Sequence, residues 1–583
     1  MTPRTISLIC VALALATAGP GFVRAAAPNS APVVELPPLL VSEAKNPLAW
    51  RYAESPGLEV LSLCPDATTE DFMEQFHHLR LLLQLILPAE LQIDDSVPMV
   101  HLLGETNMGD RLKQDVQVEM FQGHGTSGSS TPDSPFVGRG APAPRVQVLP
   151  NLRLMDTDAY TIFALLDSKQ VGRRQLALTP DYVSFLLQRR VPPLPTWFIA
   201  GTMRAFNSLT FGEREVSIAP ALWISEEATR AVRKDPAAAA ASLLPMEDLM
   251  LGPRPPEGPG EATEAYRYAW VAQACLFTRW ALDGRSPAQR QAYFKFVDRA
   301  STEPVTEAQF RETFGLTYAE MRAQLGRYLP GALDKTVRLR VSEPIEPLVL
   351  KLRPATPAET ARLKGDWERM ETGFVKRSYP ALSGKYLDQA RRTFHRAYDL
   401  GERDPRLLAA MGLTECDAGN DAAAEPFLAA AVEARVVRPR AYYELARILY
   451  TRARAAPAGP KGKLSAAQTT AVVEPLLVAQ RLSPPVTGAS ELFADIWFHS
   501  ESTPLPTDLV QLNQATGAFP KDFILNYETA LLDAQVGDWS SARRVIERGF
   551  ASAVAPAAKE RFAQLQSLLP PAPPPAPATL PPG

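Results

Sequence analysis

Apolar residues near the start of the chain recur with two different periods. Residues 57–64 and 97–104 are apolar runs of strand length, and they bracket a segment whose large apolar residues fall at helical spacing. These helical positions are Phe72, Phe76, Leu79 and Leu83. Residues 115–121 alternate between polar and apolar side chains, which predicts a further strand. The pattern therefore predicts a mixed α/β lobe in this part of the chain.

From about residue 179 to residue 330 the helical period dominates. One predicted helix places five apolar or aromatic residues on a single face: Tyr266, Trp270, Ala274, Phe277 and Ala281. Two capping signatures follow, Thr306 with Gln309 and Thr317 with Glu320. In each, a hydroxyl and an amide or carboxylate stand three residues apart, where they can bond the free amide groups of a first helical turn. We therefore expect two further helices to begin at these threonines.

A short non-helical stretch separates this region from the rest of the chain. Residues 337–341 and 348–352 alternate between apolar and polar positions, which predicts a strand pair. Residues 354–357 contain two prolines and predict a hinge.

The C-terminal third carries an internal repeat. A first set of anchors recurs 34 positions later: Ala390, Phe394 and Ala397 become Ala424, Leu428 and Ala431. Gly412 recurs as Ala446 at the same period. A third copy consists of Ala530, Ala542 and Ile546.

Glycine-containing turns accompany the anchors. Gly419 and Gly537 each lie seven residues beyond an anchor. The combination resembles the tetratricopeptide family, in which small residues lie where paired helices touch. That resemblance implies a stacked helical array that binds a protein or peptide. An irregular helical bundle is the alternative, and a distorted repeat is expected over residues 455–520.

The first 25 residues are typical of a secretory signal. Arg4 provides a positive start, residues 6–18 are apolar, and residues 23–25 end in a small-residue cleavage pattern. We expect cleavage there and a periplasmic or extracellular location, with a retained anchor as the alternative. Residues 26–47 predict a Pro/Ala-rich linker and residues 569–583 a disordered tail.

Composition and charge exclude several classes of protein. Loss of Arg4 and Arg24 with the leader takes the formal net charge from −3 to −5, so nucleic acid is not an expected partner. Arginine far outnumbers lysine, which favours a GC-rich bacterial source. The remaining cysteines, Cys64, Cys275 and Cys416, are too widely spaced for a disulfide framework or a zinc knuckle. No membrane span is expected after cleavage.

One motif resembles a known enzyme family. Residues 194–201 read Leu-Pro-Thr-Trp-Phe-Ile-Ala-Gly, which is similar to the second motif of the peptidase-MA-like zinc metallopeptidases (gluzincins), Leu-Pro-x-Trp-x-x-Glu-Gly. In that family the motif follows a helix carrying His-Glu-x-x-His. The resemblance covers roughly residues 50–330 and implies a zinc peptidase fold in this region.

The family's zinc ligands are missing from this sequence. The chemistry needs two imidazoles one helical turn apart, a glutamate that takes a proton from the metal-bound water, and a third ligand from the next helix. The corresponding positions hold Pro180 and Ser184 for the imidazoles, Asp181 for the base and Ala200 for the third ligand. We therefore predict no catalytic residue, no metal ligand and no cofactor-binding residue.

Two alternatives stay open at this stage. Thr179, Pro180 and Asp181 also form a strong helix start, which explains these residue types without descent from a peptidase. An unrecognised hydrolase site would draw on acids such as Asp181, Glu213 and Glu215. The remaining candidates are scattered and favour no site: His77, His78, His101, His124, His395, His499, Asp94 and Asp95.

The whole sequence favours an α+β protein with a mixed N-terminal α/β lobe, a helical zincin-like lobe and a C-terminal tetratricopeptide-like α-solenoid. The predicted units are listed in chain order: signal peptide 1–25, linker 26–47, degenerate peptidase-MA-like domain 48–335 with a flexible insertion at about 122–145, strand pair and hinge 336–357, helical repeats 358–568, tail 569–583. The expected function is an exported, non-catalytic protein that binds an unidentified protein or peptide through its repeats. A structural component of the envelope is the other alternative.

Overall fold

A computed structural model describes thirteen longer stretches and one single residue of the chain. They are residues 49–91, 99–105, 149–166, 181–206, 209–211, 215–221, 223–235, 239, 241–252, 261–283, 287–340, 348–378, 383–553 and 555–571. The predicted leader, the linker, the strand at 115–121 and the insertion at about 122–145 lie outside these residues. The described part is mixed in structure, mostly helical with a small N-terminal sheet.

Six strands form the N-terminal sheet, in the order β4-β5-β3-β2-β1-β9. Their bounds are β1 Arg51–Ser55, β2 Leu58–Ser62, β3 Met99–Glu105, β4 Leu149–Met155, β5 Tyr160–Leu166 and β9 Arg353–Pro354. The three central strands, β2, β3 and β5, are parallel, and the outer strands run antiparallel to their neighbours. Strands β2 and β5 are buried along their whole length, as expected where both faces of a parallel sheet are covered.

The first helix covers one face of this sheet. Helix α1 spans Asp66–Ile86, and the four apolar residues at helical spacing in the sequence are all buried in the same core as Val60, Leu103 and Ile162. The predicted strand–helix–strand order of this region is confirmed. Burial of the apolar stripe of α1 is therefore what places it on the sheet.

Among the described residues, eight helices of different lengths follow as a second group around one aromatic core. Their bounds are α2 Asp181–Leu187, α3 Thr196–Phe206, α4 Glu226–Lys234, α5 Met246–Leu251, α6 Glu261–Leu282, α7 Pro287–Thr302, α8 Glu307–Phe314 and α9 Tyr318–Ala332. Both predicted capping boxes are confirmed, because Thr306 and Thr317 cap α8 and α9 with reciprocal bonds to Gln309 and Glu320. Trp197 packs at the centre against Phe277 and Phe296.

The strands near the hinge pair differently from the sequence prediction. Strand β8 (Val337–Arg340) pairs with β7 (Glu215–Ile218), which in turn pairs with β6 (Leu209–Phe211). Residues 348–352 are not a strand, and the next strand, β9, pairs with β1. The predicted pairing of 337–341 with 348–352 is therefore wrong, because residues 337–340 pair with β7 and residues 353–354, just beyond the second segment, pair with β1.

Eleven further helices occupy the described residues from 357 to 568. Their bounds are α10 Pro357–Ser378, α11 Ser383–Asp399, α12 Pro405–Asp417, α13 Asp421–Glu433, α14 Pro439–Ala455, α15 Ala466–Ala479, α16 Thr487–Phe498, α17 Pro506–Ala518, α18 Phe523–Gln535, α19 Trp539–Ser552 and α20 Pro556–Leu568. Every second helix, from α10 to α18, contacts the next one in this series. We call them the inner helices: α10, α12, α14, α16 and α18.

The repeat anchors lie in the contacts between neighbouring helices. All ten predicted apolar anchors other than Gly412 are buried. A Cβ added to Gly412 would lie 2.7 Å from the Leu428 side chain, so glycine allows α12 and α13 to approach closely. Gly419 and Gly537 have φ of 75° and 84°, and each ends one helix before the next begins. The left-handed conformation explains why glycine is used at these two turns.

Residues 455–520 are helical but less regular. A longer connection, residues 456–465, separates α14 from α15 and contains a 3₁₀ turn at Pro460–Gly462. Leu464 forms a bridge with Ser500 beyond α16, which ties this connection down.

Helix α10 is the first of the C-terminal helices α10–α20, which we call the array, and it packs on the sheet. Leu363, Trp367 and Met370 of α10 share a core with Tyr52 and Phe163 on the face of the sheet opposite α1. The sheet is therefore covered by α1 on one face and by the first helix of the array on the other. Within the described residues, no helix combines the length and apolarity needed to cross a bilayer.

Candidate functional site

Helices α2 and α3 form the site at which the sequence resembles a zinc peptidase. They contact each other, and the segment between them is held by Arg190, which donates to the carbonyl of Pro192 at 2.7 Å and to Asp298 at 3.0 Å. The aromatic face of α3 faces inward, with Trp197 and Phe198 buried.

The side chains at the expected ligand positions are engaged in other contacts or carry no donor atom. Ser184 Oγ accepts a hydrogen bond from Gln188 Nε2 at 3.1 Å. Ala200 is 5% exposed and belongs to the hydrophobic core. Pro180 and the Asp181 side chain lie outside the described residues. Across the part of the chain that is described, no group of three or more His, Cys, Asp or Glu side chains gathers in a way that could hold a metal ion.

Gly201 ends the resembling motif and permits the close approach of α3 to α6. A Cβ at this position would lie 2.6 Å from the Ala274 carbonyl oxygen and 2.6 Å from Thr278 Oγ1. Since the first of these atoms is backbone, it cannot move without shifting the helix. The motif's glycine is thus explained by helix packing.

Replacing Gly201 with alanine is expected to lower the free energy of unfolding by about 2 kcal/mol through overpacking. The matched control is Gly331→Ala in α9, where an added Cβ meets nothing within 4 Å. That variant is expected to gain about 0.5–1 kcal/mol from helix propensity. Chemical denaturation of both variants measures the difference, and equal effects at the two glycines would contradict the packing argument.

The histidines do not converge. His101 is fully buried in β3, with its ring against Phe76 at a centroid distance of 4.4 Å. His77 and His78 lie side by side on α1, whereas His395 and His499 lie in the array. His499 bonds the carbonyl of Asp495. His124 lies outside the described residues.

The acids of the alternative hydrolase hypothesis gain no support as a pair. Glu215 accepts from Ser217 Oγ at 3.1 Å and forms an ion pair with Arg338 at 3.6 Å. Glu213, Asp94 and Asp95 lie outside the described residues. The three cysteines, Cys64, Cys275 and Cys416, are free thiols.

The most heavily charged buried region lies where the array meets the sheet. The turn between β4 and β5 carries Asp156 and Asp158, and three arginines of the array surround it. Arg369 Nη2 lies 2.6 Å from Asp156 Oδ2, and Arg440 Nη1 lies 2.7 Å from the same oxygen. The backbone N–H of Arg440 donates to Asp158 Oδ2 at 2.7 Å. We call Asp156, Asp158, Asp366, Arg369, Asp417, Arg438 and Arg440 the charged junction.

Array residues complete the junction. Arg369 Nη1 lies 2.8 Å from Asp417 Oδ2, and Arg438 Nη1 lies 2.8 Å from Asp366 Oδ2. Burial alone would raise the pKa of Asp366, but Arg438 and Arg369 lower it to about 2. The pKa of Asp156 also falls well below its usual range, because Arg369, Arg440 and Arg438 together outweigh its burial. Both carboxylates are therefore ionised at neutral pH, and each is paired.

A second buried ion pair lies along α10. Arg362 pairs with Glu59 of β2, and the same carboxylate accepts from Tyr52 Oη at 2.8 Å. Arg406 of α12 lies 3.3 Å from it. Two independent ion-pair groups thus connect array helices to strands of the sheet.

Sequence reasoning missed the charged junction. The bonds that cross from the sheet to the array join residues more than two hundred positions apart, as in the bonds of Asp156 to Arg369 and of Asp158 to Arg440. Short-range patterns carry no signal for such pairs, and an Asp-x-Asp turn is usually solvated.

The inner helices also carry a group of half-buried carboxylates. Tyr450 of α14 donates to Asp495 of α16 at 2.7 Å. The hydrogen bond with Asp522 and, to a smaller extent, burial raise the pKa of Glu491 in α16 to about 7. Burial and, to a smaller extent, the negative charge of Asp495 raise the pKa of Glu528 in α18 to about 7.

Comparisons of the chain with protein-family models, with curated proteins and with solved structures found no match.

Proposed function

We propose that this chain is an exported, non-catalytic protein in which a zinc-less peptidase-like scaffold carries a tetratricopeptide-like array that binds a protein or peptide. The observation that carries the proposal is the succession of inner helices, with the repeat anchors buried in the contacts between neighbours. Stacked helix pairs of this kind expose one extended surface to a partner.

The α2–α3 site supports the non-catalytic part of the proposal. A hydroxyl bonded to Gln188 and a buried methyl group stand where the resemblance requires metal ligands. Neither side chain is a good zinc ligand. The packing role of Gly201 also accounts for one motif residue without catalysis.

The charged junction supports the scaffold part. Burial of several paired charges between the array and the sheet fixes the position of one relative to the other. The sheet lobe then holds the array in place through ion pairs with α10, α12 and α14.

The proposal is tested by affinity capture from the exported fraction with the immobilised full chain. We expect a specific partner to be retained by the wild type and by Glu433→Gln, a control at an exposed position of α13. The double variant Glu491→Gln, Glu528→Gln changes the inner helices only. It is expected to retain several-fold less partner, because charge complementarity contributes to recognition at such surfaces.

Equal retention by all three proteins would contradict the assignment of binding to the inner helices. Retention of no partner by the wild type would contradict the binding function itself.

A further inference from the structure

Glu371 is a buried acid at the middle of the helix that joins the array to the sheet. It lies on α10 and is 0% exposed. Trp367, one turn earlier, packs on the sheet, whereas the other neighbours of α10 are α11 and α12 of the array. Any change in the charge of Glu371 therefore acts at the contact between α10 and α11.

Among the residues that the structure describes, neither carboxyl oxygen of Glu371 has a hydrogen-bond partner. The indole N–H of Trp367 and the hydroxyl of Tyr386 in α11 are also buried without a partner. The adjacent acid, Glu368, differs, because Thr393 Oγ1 donates to it at 2.6 Å and Gln389 Nε2 lies 3.5 Å away. A buried carboxylate without donors is far costlier than a neutral carboxyl group.

The charge next to Glu371 also favours the neutral form of its carboxyl group. Burial, and to a smaller extent the repulsion of Glu368, raises the pKa of Glu371 well above its ordinary value, and the proximity of the Trp367 indole N–H opposes this less than either of them. Tyr386 is the titratable group that α11 contributes. The nearby acids of α12 and of the β4–β5 turn, Asp417 and Asp156, are both bound by Arg369 of α10. Among the described residues, the arginines of the charged junction thus pair with carboxylates other than that of Glu371.

From this geometry we propose that Glu371 is held as a neutral acid between α10 and α11 and that its ionisation opens this contact, so that α11 packs most firmly on α10 in acidic solution and is loosened as the pH rises. The inference depends on the burial of one carboxyl group and is independent of the proposed partner.

The sign follows from proton binding. In the closed state Glu371 keeps its proton to a higher pH than it does when the contact opens and water reaches it. The opening equilibrium therefore takes a constant value below the ordinary carboxyl range. Above that range it rises about tenfold per pH unit until the closed-state value is reached.

Hydrogen exchange of the full chain between pH 5 and pH 8 tests the inference. After correction for intrinsic exchange, the protection of peptides from α10 and α11 is expected to fall about tenfold per pH unit in the wild type. In Glu371→Gln, which keeps the shape and cannot ionise, protection is expected to be independent of pH. Peptides from α18 and α19 serve as the internal reference.

Glu433→Gln is the matched control, because it makes the same chemical change at an exposed position and is expected to keep the wild-type profile. If Glu371→Gln does not fold, Glu371→Leu replaces it. Difference infrared spectra of the wild type against the variant provide a second readout, in which a protonated carboxyl band at pH 7 is expected. Identical exchange profiles for wild type and variant, or the lack of that band, would overturn the inference.

Discussion

Replacing Arg369 with alanine is expected to lower the free energy of unfolding by about 3–5 kcal/mol. The side chain is 2% exposed and lies between three carboxylates, Asp156, Asp366 and Asp417. Its removal leaves Asp156 and Asp417 with fewer partners in a region from which water is largely excluded. The loss arises from uncompensated buried charge, and chemical denaturation of the full chain measures it.

Two further variants separate this effect from others. Arg369→Met keeps most of the aliphatic side chain, so a similar loss is expected if charge is the cause. Arg452→Ala breaks an ion pair with Glu425 in which the arginine side chain is 62% exposed, and it should cost less than about 1 kcal/mol. A loss below 1 kcal/mol for Arg369→Ala would show that the charged junction does not hold the array on the sheet.

Replacing His101 with leucine is expected to protect the protein against acid. Burial, followed by the positive charge of Arg80, lowers the pKa of His101 to about 3. The contribution of His101 to the free energy of unfolding is fully present above the ordinary histidine pKa of about 6.5. It is lost as the pH falls from there towards 3, because over this range the unfolded chain takes up a proton and the folded chain does not. Leucine has no such proton, so the variant should be about 3 kcal/mol more stable than wild type at pH 4.

The same change should cost nothing at pH 7. Among the described residues neither ring nitrogen of His101 has a hydrogen-bond partner, and an apolar side chain removes that unsatisfied polarity. His395→Leu, at an exposed position of α11, is the control and is expected to follow the wild-type pH profile. Unfolding free energies measured from pH 4 to pH 8 check both expectations. Parallel profiles for wild type and His101→Leu would contradict them.

Local elements could be predicted from the sequence because their signals are local. The apolar stripe of α1 needs only helical spacing, and the capping boxes at Thr306 and Thr317 need only three-residue spacing. Gly419 and Gly537 mark turns through a backbone conformation that glycine adopts without strain. At each of these positions the residues within one or two turns decide the structure.

Long-range pairing could not be predicted in the same way. Residues 337–341 carry a correct strand signal, but no local feature specifies that β8 pairs with β7. The charged junction is a stronger example, since Asp158 and Arg440 meet across the boundary between sheet and array. For the candidate site, the resemblance of residues 194–201 to a peptidase motif stays a prediction. The packing role of Gly201 required the neighbouring helix α6 to be known.

We propose that residues 48–335 hold no zinc, and the zinc content of the purified full chain tests this proposal most directly. The protein is prepared without a histidine tag, incubated with excess zinc, desalted and measured by elemental mass spectrometry. We expect far less than one zinc ion per chain and no casein cleavage that a chelator abolishes. One tightly bound zinc per chain, together with chelator-sensitive cleavage of casein, would contradict it.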